Sequence, residues 1–334
     1  MVRYIIRRLI GAVAVVIVVS IVTFGIFQVV PVLTGANAAY LYVGRVSTPA
    51  QVEAVERRMG LDRPVVEQYT TYMKGIVAGR TFTDGASEAK CPAPCLGYSF
   101  RFQDSVTNLI KDRLPVTGSL ALGAAILWVI VGVGIGILSA LRRGTFFDRF
   151  AMIVALAGVS LPIYFTGLVL LYIFSYGPIP VFENVQYVAF EDGPVDWARN
   201  LVLPWVSLAF LYAALYARLT RANMLEVMSE DYIRTARSKG LRRSTVVGRH
   251  GLRAALTPLV TIFGLDLGAL LGGAVLTETT FSLPGMGKLS FDAISQQDLP
   301  VILGVTIVAA IFIVLANVVV DVLYAVVDPR VRYV

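Results

Sequence analysis

Six stretches of this chain are long and apolar enough to cross a lipid bilayer, and no other feature restricts its fold as strongly. A hydrocarbon core of about 30 Å takes about 20 helical residues at 1.5 Å each. Residues 9–30 carry no charge and stop at Pro31; residues 114–141 are uncharged and halted by Arg142-Arg143. Residues 150–176 form the third stretch, with Pro162 inside as a kink. Residues 201–217 are shorter and need the turn past Arg218; residues 255–277 and 300–320 complete the set. Inside hydrocarbon the backbone must satisfy its own hydrogen bonds. The expected fold is therefore an all-α integral membrane protein. With 15% charged residues, the chain falls well below the about 25% of a soluble domain. Residues 9–30 are too long for a signal-peptide core and no small-residue cleavage site follows, so they read as a retained span.

Lysine and arginine near the span ends set the orientation. Arg3, Arg7 and Arg8 precede the first span, and Arg142, Arg143 and Arg149 separate the second from the third. Arg218, Arg221, Arg234, Arg237, Lys239, Arg242, Arg243, Arg249 and Arg253 lie between the fourth and fifth, and Arg330 and Arg332 follow the sixth. On the other side Glu183, Glu191, Asp192 and Asp196 face only Arg199, and Asp292 and Asp298 face only Lys288. Both termini are expected in the cytoplasm. The net charge of +7 belongs to these clusters; without zinc-finger spacing or aromatic–basic interleaving, it does not point to nucleic acid.

The chain divides into a first transmembrane helix (1–31), an extracytoplasmic subdomain (32–113) and a five-helix core (114–334) holding a cytoplasmic loop (218–254). The subdomain is too long for a plain loop. Short helices and turns are expected there, one helix opened by Ser47-Thr48-Pro49. Cys91 and Cys95 lie on the oxidising side, where either a local disulfide or two unpaired thiols would fit. With no histidine nearby, two thiols are too few for a metal site.

The cytoplasmic loop is the most informative segment. Ser229 can cap a helix whose first turn carries Glu230 and Asp231, matching the helix dipole. Arg237 and Lys239 fall in its last turn, and Gly240 supplies a left-handed terminator. Ser244 can cap a second helix leading into the fifth span, and Tyr232, Ala236 and Leu241 fall near one face. The result is a rigid elbow projecting from the membrane. A basic helix lying on anionic lipid is the alternative, but the apolar face is small and Gly240 interrupts it, which favours docking to a protein.

Thr235-Ala236-x-x-x-Gly240 followed by Leu256-x-Pro258 resembles the EAA loop of ABC importer permeases. Arg234 and Thr235 stand where Glu and Ala are usual, and the interval from Gly240 to Pro258 is longer than usual; both features resemble the dipeptide/oligopeptide (nickel/peptide) branch. Further stretches look like the same branch. They are Gly60-Leu61-Asp62-Arg63-Pro64 with Gln68-Tyr69, Arg113-Leu114-Pro115-Val116-Thr117, Arg142-Arg143-Gly144 with Asp148-Arg149, and Ser160-Leu161-Pro162. Glu278-Thr279-Thr280-Phe281-Ser282-Leu283-Pro284-Gly285-Met286-Gly287 and the terminal Asn317, Asp321, Tyr324 and Asp328-Pro329-Arg330 continue the series.

The resemblance implies a type I importer permease fold in a bacterial plasma membrane. It implies a coupling helix of Asp231, Tyr232, Arg234, Thr235, Ala236, Lys239, Gly240 and Leu241 seated in a cleft of an ATPase. The implied partners are a second homologous permease, two ABC ATPase subunits (identical, different or fused) and an extracytoplasmic substrate-binding protein, with membrane lipid around them. The implied cargo is a short peptide, with nickel or glutathione as alternatives. ATP and magnesium are expected in the ATPase subunits, no cofactor in this chain, and no enzyme activity of its own. Gly287-Lys288-Leu289-Ser290 fails the spacing of a phosphate-binding loop, and Gly132, Gly134 and Gly136 suit helix packing.

Gly264, Gly268 and Gly272 recur every four residues and would let another helix approach closely, either this chain's own or the partner permease's. Asp266 stands within the fifth span, where a carboxylate is costly. It either faces the substrate path and meets a cation, or is a structural carboxyl, capped or protonated near a helix end. Glu278 and Asp321 lie near membrane boundaries and read as structural, and His250 as an interface or capping residue. A secondary transporter would place broken helices and ionisable residues at mid-membrane, often within internal repeats; only Asp266 fits that pattern.

Overall fold

The computed structural model describes residues 2–33, 39, 48–84, 87–182 and 186–327. The expectations resting on Ser47, Glu183, Asp328-Pro329-Arg330 and Arg332 lie outside the described residues, as does most of 34–47. The elements run α1 (Val2–Leu33), α2 (Pro49–Met59), α3 (Val65–Ala78), β1 (Arg80–Asp84), β2 (Ser87–Cys91), β3 (Tyr98–Ser99) and β4 (Asp104–Ser105). They continue as α4 (Val106–Trp128), a π-helical turn (Val129–Val133), α5 (Gly134–Leu141), α6 (Phe146–Ser160), α7 (Ile163–Leu171) with a π turn (Tyr172–Tyr176), and α8 (Pro194–Val227). The remainder is α9 (Asp231–Ser238), α10 (Arg243–Thr245), a π segment (Val246–Leu252), α11 (Arg253–Leu271), α12 (Val275–Thr280), α13 (Met286–Gln296) and α14 (Leu299–Val327).

Among the described residues five helical runs are long and apolar enough to cross a membrane, and the α6–α7 pair makes a sixth only if its two halves, bent by 103°, act as one span. The kink expected at Pro162 is thus a break. Leu161 and Pro162 are both extended, with ψ of 132° and 139°, because the proline ring excludes helical backbone at the residue before it. The second span starts at Val106 rather than 114, since Ser105 Oγ accepts the Asn108 N–H at 3.2 Å and caps the helix early. The fourth runs for 34 residues, Pro194–Val227, starting before 201 and continuing beyond the one turn past Arg218 that was expected. The fifth stops at Leu271 instead of 277. Gly273, at φ 128°, ends it, so Gly272 sits in a turn and the four-residue glycine stripe stops at Gly268.

The chain folds as two compact units. The first comprises Met1–Thr117, Leu271–Val275 and Pro284–Leu315. Phe24 of α1 meets Tyr69 and Tyr72 of α3 edge-on and tilted, at 5.4 and 6.0 Å between ring centroids. The core gathers Leu96, Val106, Ile110, Met286, Leu289 and Val301. Only helices and turns were expected between the first two spans, yet two antiparallel hairpins occur there. β1 pairs with β2 from Arg80↔Cys91 to Asp84↔Ser87, and β3 with β4 through Tyr98↔Ser105. Thr81, Phe82 and Thr83 are residue types enriched in strands. Cys91 and Cys95 form a disulfide at the end of β2. Buried Asp298 accepts the Ser99 hydroxyl and the Val301 N–H at the head of α14. Burial pushes its carboxyl above the ordinary range, opposed by the Ser99 hydrogen bond.

The second unit, Gly118–Leu270, Leu276–Leu283 and Ala316–Val334, is organised on α8. Glycines set how closely its helices pack. A Cβ on Gly132 would lie 2.8 Å from Ala213 O, and one on Gly136 2.7 Å from Ala217 O. A Cβ on Gly264 would collide with Val320, so that glycine packs on this chain's own last helix. Valine at Gly136 must displace α8 backbone, and overpacking of this kind costs about 1–3 kcal/mol or more. We expect Gly136→Val to lower membrane abundance and the detergent melting temperature on an immunoblot-coupled heating series. Gly134→Ala, with open space around it, is expected to match wild type.

Candidate functional site

The elbow begins where α8 ends. Ser229 Oγ donates to Glu226 O at 2.7 Å, closing the last turn of α8, so it does not cap α9 as expected. Glu230, extended at ψ 149°, holds the N-cap position without a side-chain cap. The other end follows the expectation for Gly240. At φ 75° it turns the chain back: its N–H donates to Arg237 O at 3.0 Å and the Leu241 N–H to Ala236 O at 3.4 Å. That pair of bonds is the Schellman closure. Ser244 is likewise not the cap of the next helix; extended Arg242 precedes α10, which passes through the π segment holding His250 into α11.

The buried face of α9 differs from the expected one by one residue. Ile233 is 0% exposed and packs with Ala236, Val246 and Met228. Tyr232 and Leu241, assigned to the same face as Ala236 by spacing, are 46% and 42% exposed. The elbow is therefore fastened to its own chain by Ile233 and Ala236. It presents Tyr232, Arg234, Thr235, Lys239, Gly240 and Leu241 outward. Partial burial, then the Glu230 carboxylate, push the Tyr232 phenol above its ordinary range. Asp231 and Arg234 pair at 3.3 Å but are largely exposed, and such pairs contribute little to stability. Leu141, Leu225, Met228, Arg237, Leu241 and Val247 line a cleft of about 450 Å³ beside the elbow.

Just before the elbow, α8 is anchored by an ion pair that spacing did not reveal. Arg221 Nε donates to Asp148 Oδ1 at 2.6 Å and Nη2 to Oδ2 at 2.9 Å, with Asp148 4% exposed. The Gly144 N–H adds a third bond to Asp148 at 2.9 Å. Thr145 Oγ1 accepts the Asp148 N–H, which fixes this carboxylate in the first turn of α6. The available signal was helical register, because Arg221 follows Ala214 and Ala217 on the buried face of α8. Asn223 Nδ2 donates to Ala255 O at 3.2 Å and ties α8 to α11.

Asp266 lies in the body of α11 rather than at a helix end. The Tyr216 hydroxyl donates to its Oδ2 at 2.8 Å. Trp128 stacks on Tyr212 at 4.6 Å between centroids and lies 6.0 Å from Phe263. Among the described residues no three His, Cys, Asp or Glu side chains come together as metal ligands.

The family described as the binding-protein-dependent transport system inner membrane component matches residues 132–333, and its N-terminal companion matches residues 1–121. A putative peptide transport system permease protein of Brucella abortus (strain 2308) is 37% identical over 333 residues, covering 100% of both chains. The dipeptide transport system permease protein DppB of Alkalihalophilus pseudofirmus is 37% identical over 353 residues, again with 100% of each chain covered. DppB of Escherichia coli (strain K12) is 35% identical, with 100% of this chain and 99% of that one covered. Among solved structures, the inward-facing MetNI methionine ABC transporter superposes with a TM-score of 0.51 at 15% identity, covering 66% of this chain and 97% of that one. At that identity the likeness concerns the fold alone: the helical core is that of an ABC importer permease.

Proposed function

The chain belongs to the family of binding-protein-dependent transport system inner membrane components, and from that premise we propose that it is the transmembrane permease subunit of an ATP-driven importer of short peptides. Full-length relatives named for dipeptide transport support peptide rather than nickel or glutathione as the cargo. The single observation that carries the coupling role is the elbow, fastened inward by Ile233 and closed by Gly240 with its polar side turned outward. The chain forms half of a pore with a second permease. Two ATPase subunits, which hold ATP and magnesium, receive the outward face of α9, and a binding protein delivers peptide from the extracytoplasmic side. Both termini then lie in the cytoplasm, as the arginine distribution asks.

In this reading the permease is the bistable element. Closure of the ATPases on ATP draws the two elbows together and favours the outward-facing pore; hydrolysis releases them. A ligand shifts such an equilibrium only through its different affinity for the two states, and a swing from 1:99 to 99:1 takes about 5.5 kcal/mol. A frayed elbow would dissipate that energy before it reached the spans. Valine at Gly240 meets no steric obstacle but is strained at positive φ, by about 1–2 kcal/mol. Gly240→Val is expected to insert normally while binding-protein-stimulated ATP hydrolysis no longer yields matching peptide uptake in proteoliposomes. Gly240→Asn, which tolerates the left-handed region, is expected to stay coupled. Normal coupled uptake by the valine variant would refute the assignment.

A further inference from the structure

The ion pair of Arg221 and Asp148 satisfies both oxygens of its carboxylate. Asp266 is arranged differently. It stands in a helix apolar and long enough to cross the membrane, half-buried, with the Tyr216 hydroxyl on Oδ2. Among the described residues Oδ1 has no donor, and neither oxygen has a lysine or arginine within ion-pair distance. A charged group at such depth is costly and faces a polar path or a partner rather than lipid.

Its surroundings have a definite chemistry. Tyr212 stands one turn before Tyr216 in α8, and Phe263 stands just under one turn before Asp266 in α11. Trp128 and Tyr216 are buried, and Tyr212 and Phe263 are only partly covered. The rings are linked through Trp128, whose centroid lies 4.6 Å from Tyr212, 6.1 Å from Tyr216 and 6.0 Å from Phe263. One fixed carboxylate oxygen, one open one and adjacent π faces suit a primary ammonium group. Such a group offers three N–H donors and a charge that aromatic faces attract. A carboxylate already engaged by a phenol binds such a cation without trapping it, which is what passage through a pore demands.

We propose that Asp266, held by Tyr216 beside the aromatic cluster of Trp128, Tyr212 and Phe263, is a contact on the translocation path for the ammonium group of a passing peptide. This rests on the reading of the chain as a peptide permease. Asparagine at 266 is isosteric and still accepts the Tyr216 hydroxyl, so it removes the charge and leaves the packing.

The test uses the intact complex in proteoliposomes with its binding protein. A tripeptide with a free amino terminus and its N-acetylated counterpart, neither containing lysine or arginine, are each supplied at a concentration saturating the binding protein. For Asp266→Asn, uptake of the free-amine peptide is expected to fall by about tenfold, the scale of a lost desolvated cation contact. Permease abundance, binding-protein-stimulated ATP hydrolysis and uptake of the acetylated peptide are expected to be unchanged. Asp266→Glu should restore most free-amine uptake and Asp266→Lys should abolish it. Equal losses for both peptides, wild-type uptake by the asparagine variant, or a parallel fall in ATP hydrolysis would each overturn the proposal. If the wild-type complex carries neither peptide, it is the peptide reading itself that fails.

Discussion

Replacing Arg221 with alanine is expected to remove most of the folded permease from the membrane. The substitution leaves Asp148, almost fully buried, with only the Gly144 N–H on one of its oxygens. Removing one partner of a buried pair costs about 3–5 kcal/mol because the other charge stays uncompensated, against a total stability of about 5–15 kcal/mol. Arg221→Lys is expected to recover only part of the loss, since an ammonium cannot reproduce the two parallel bonds of the guanidinium. The double variant Asp148→Leu with Arg221→Met removes both charges and is expected to approach wild-type abundance, as hydrophobic replacement of buried pairs often does. Immunoblot abundance and the melting temperature of the purified permease give the readout. An alanine variant with both values unchanged would show that the pair carries no structural weight.

The same pair explains why span limits were less legible than span existence. Hydropathy located every apolar run, because the cost of exposing backbone to lipid leaves few alternatives to a helix. Arg218 and Arg221 read as the end of the fourth span because arginine marks cytoplasmic boundaries. The structure continues that helix to Val227 and cancels the Arg221 charge with a residue 73 positions away. Helical register places Arg221 on the buried side of α8, but no local pattern names its partner. Ser105 shifted the second span's start in a similar way, by capping a helix whose first turns are polar. At Pro162 the sequence held the position of the disruption but not its size, since two consecutive extended residues turn a kink into a break.

The elbow divides along the same line. Gly240 was legible because a left-handed terminator is a property of one residue and its two neighbouring hydrogen bonds. The inward face of α9 was not. Tyr232 and Ile233 are both apolar and adjacent, so helical spacing alone does not decide which one points inward. The choice comes from Val246 and Met228, which supply a pocket that an aliphatic side chain fills. The hairpin of β1 and β2 was missed for a related reason: a five-residue strand inside a polar segment carries little alternation to recognise.

Ile233 therefore carries the other large effect. It is fully enclosed in a small cluster with Ala236 and Val246, and that cluster is what fastens an eight-residue helix to the rest of the chain. A helix that short has no stability of its own in water. Ile233→Asp places a carboxylate among apolar neighbours without a partner, at a cost of several kcal/mol. The small cluster cannot absorb it, and the elbow is expected to open locally while the spans stay folded, since regions with few buried contacts unfold separately. The expected result is normal membrane abundance, rapid tryptic cleavage between Arg234 and Arg243, no ATPase retained on purification of the permease, and no uptake. Tyr232→Ala and Leu241→Ala provide the contrast. Both residues face outward, so these variants should resist trypsin like wild type yet retain less ATPase. If Ile233→Asp kept its ATPase and its protease resistance, the inward fastening of α9 would be refuted. If the two outer variants bound ATPase as tightly as wild type, the docking surface would have to lie elsewhere on the loop.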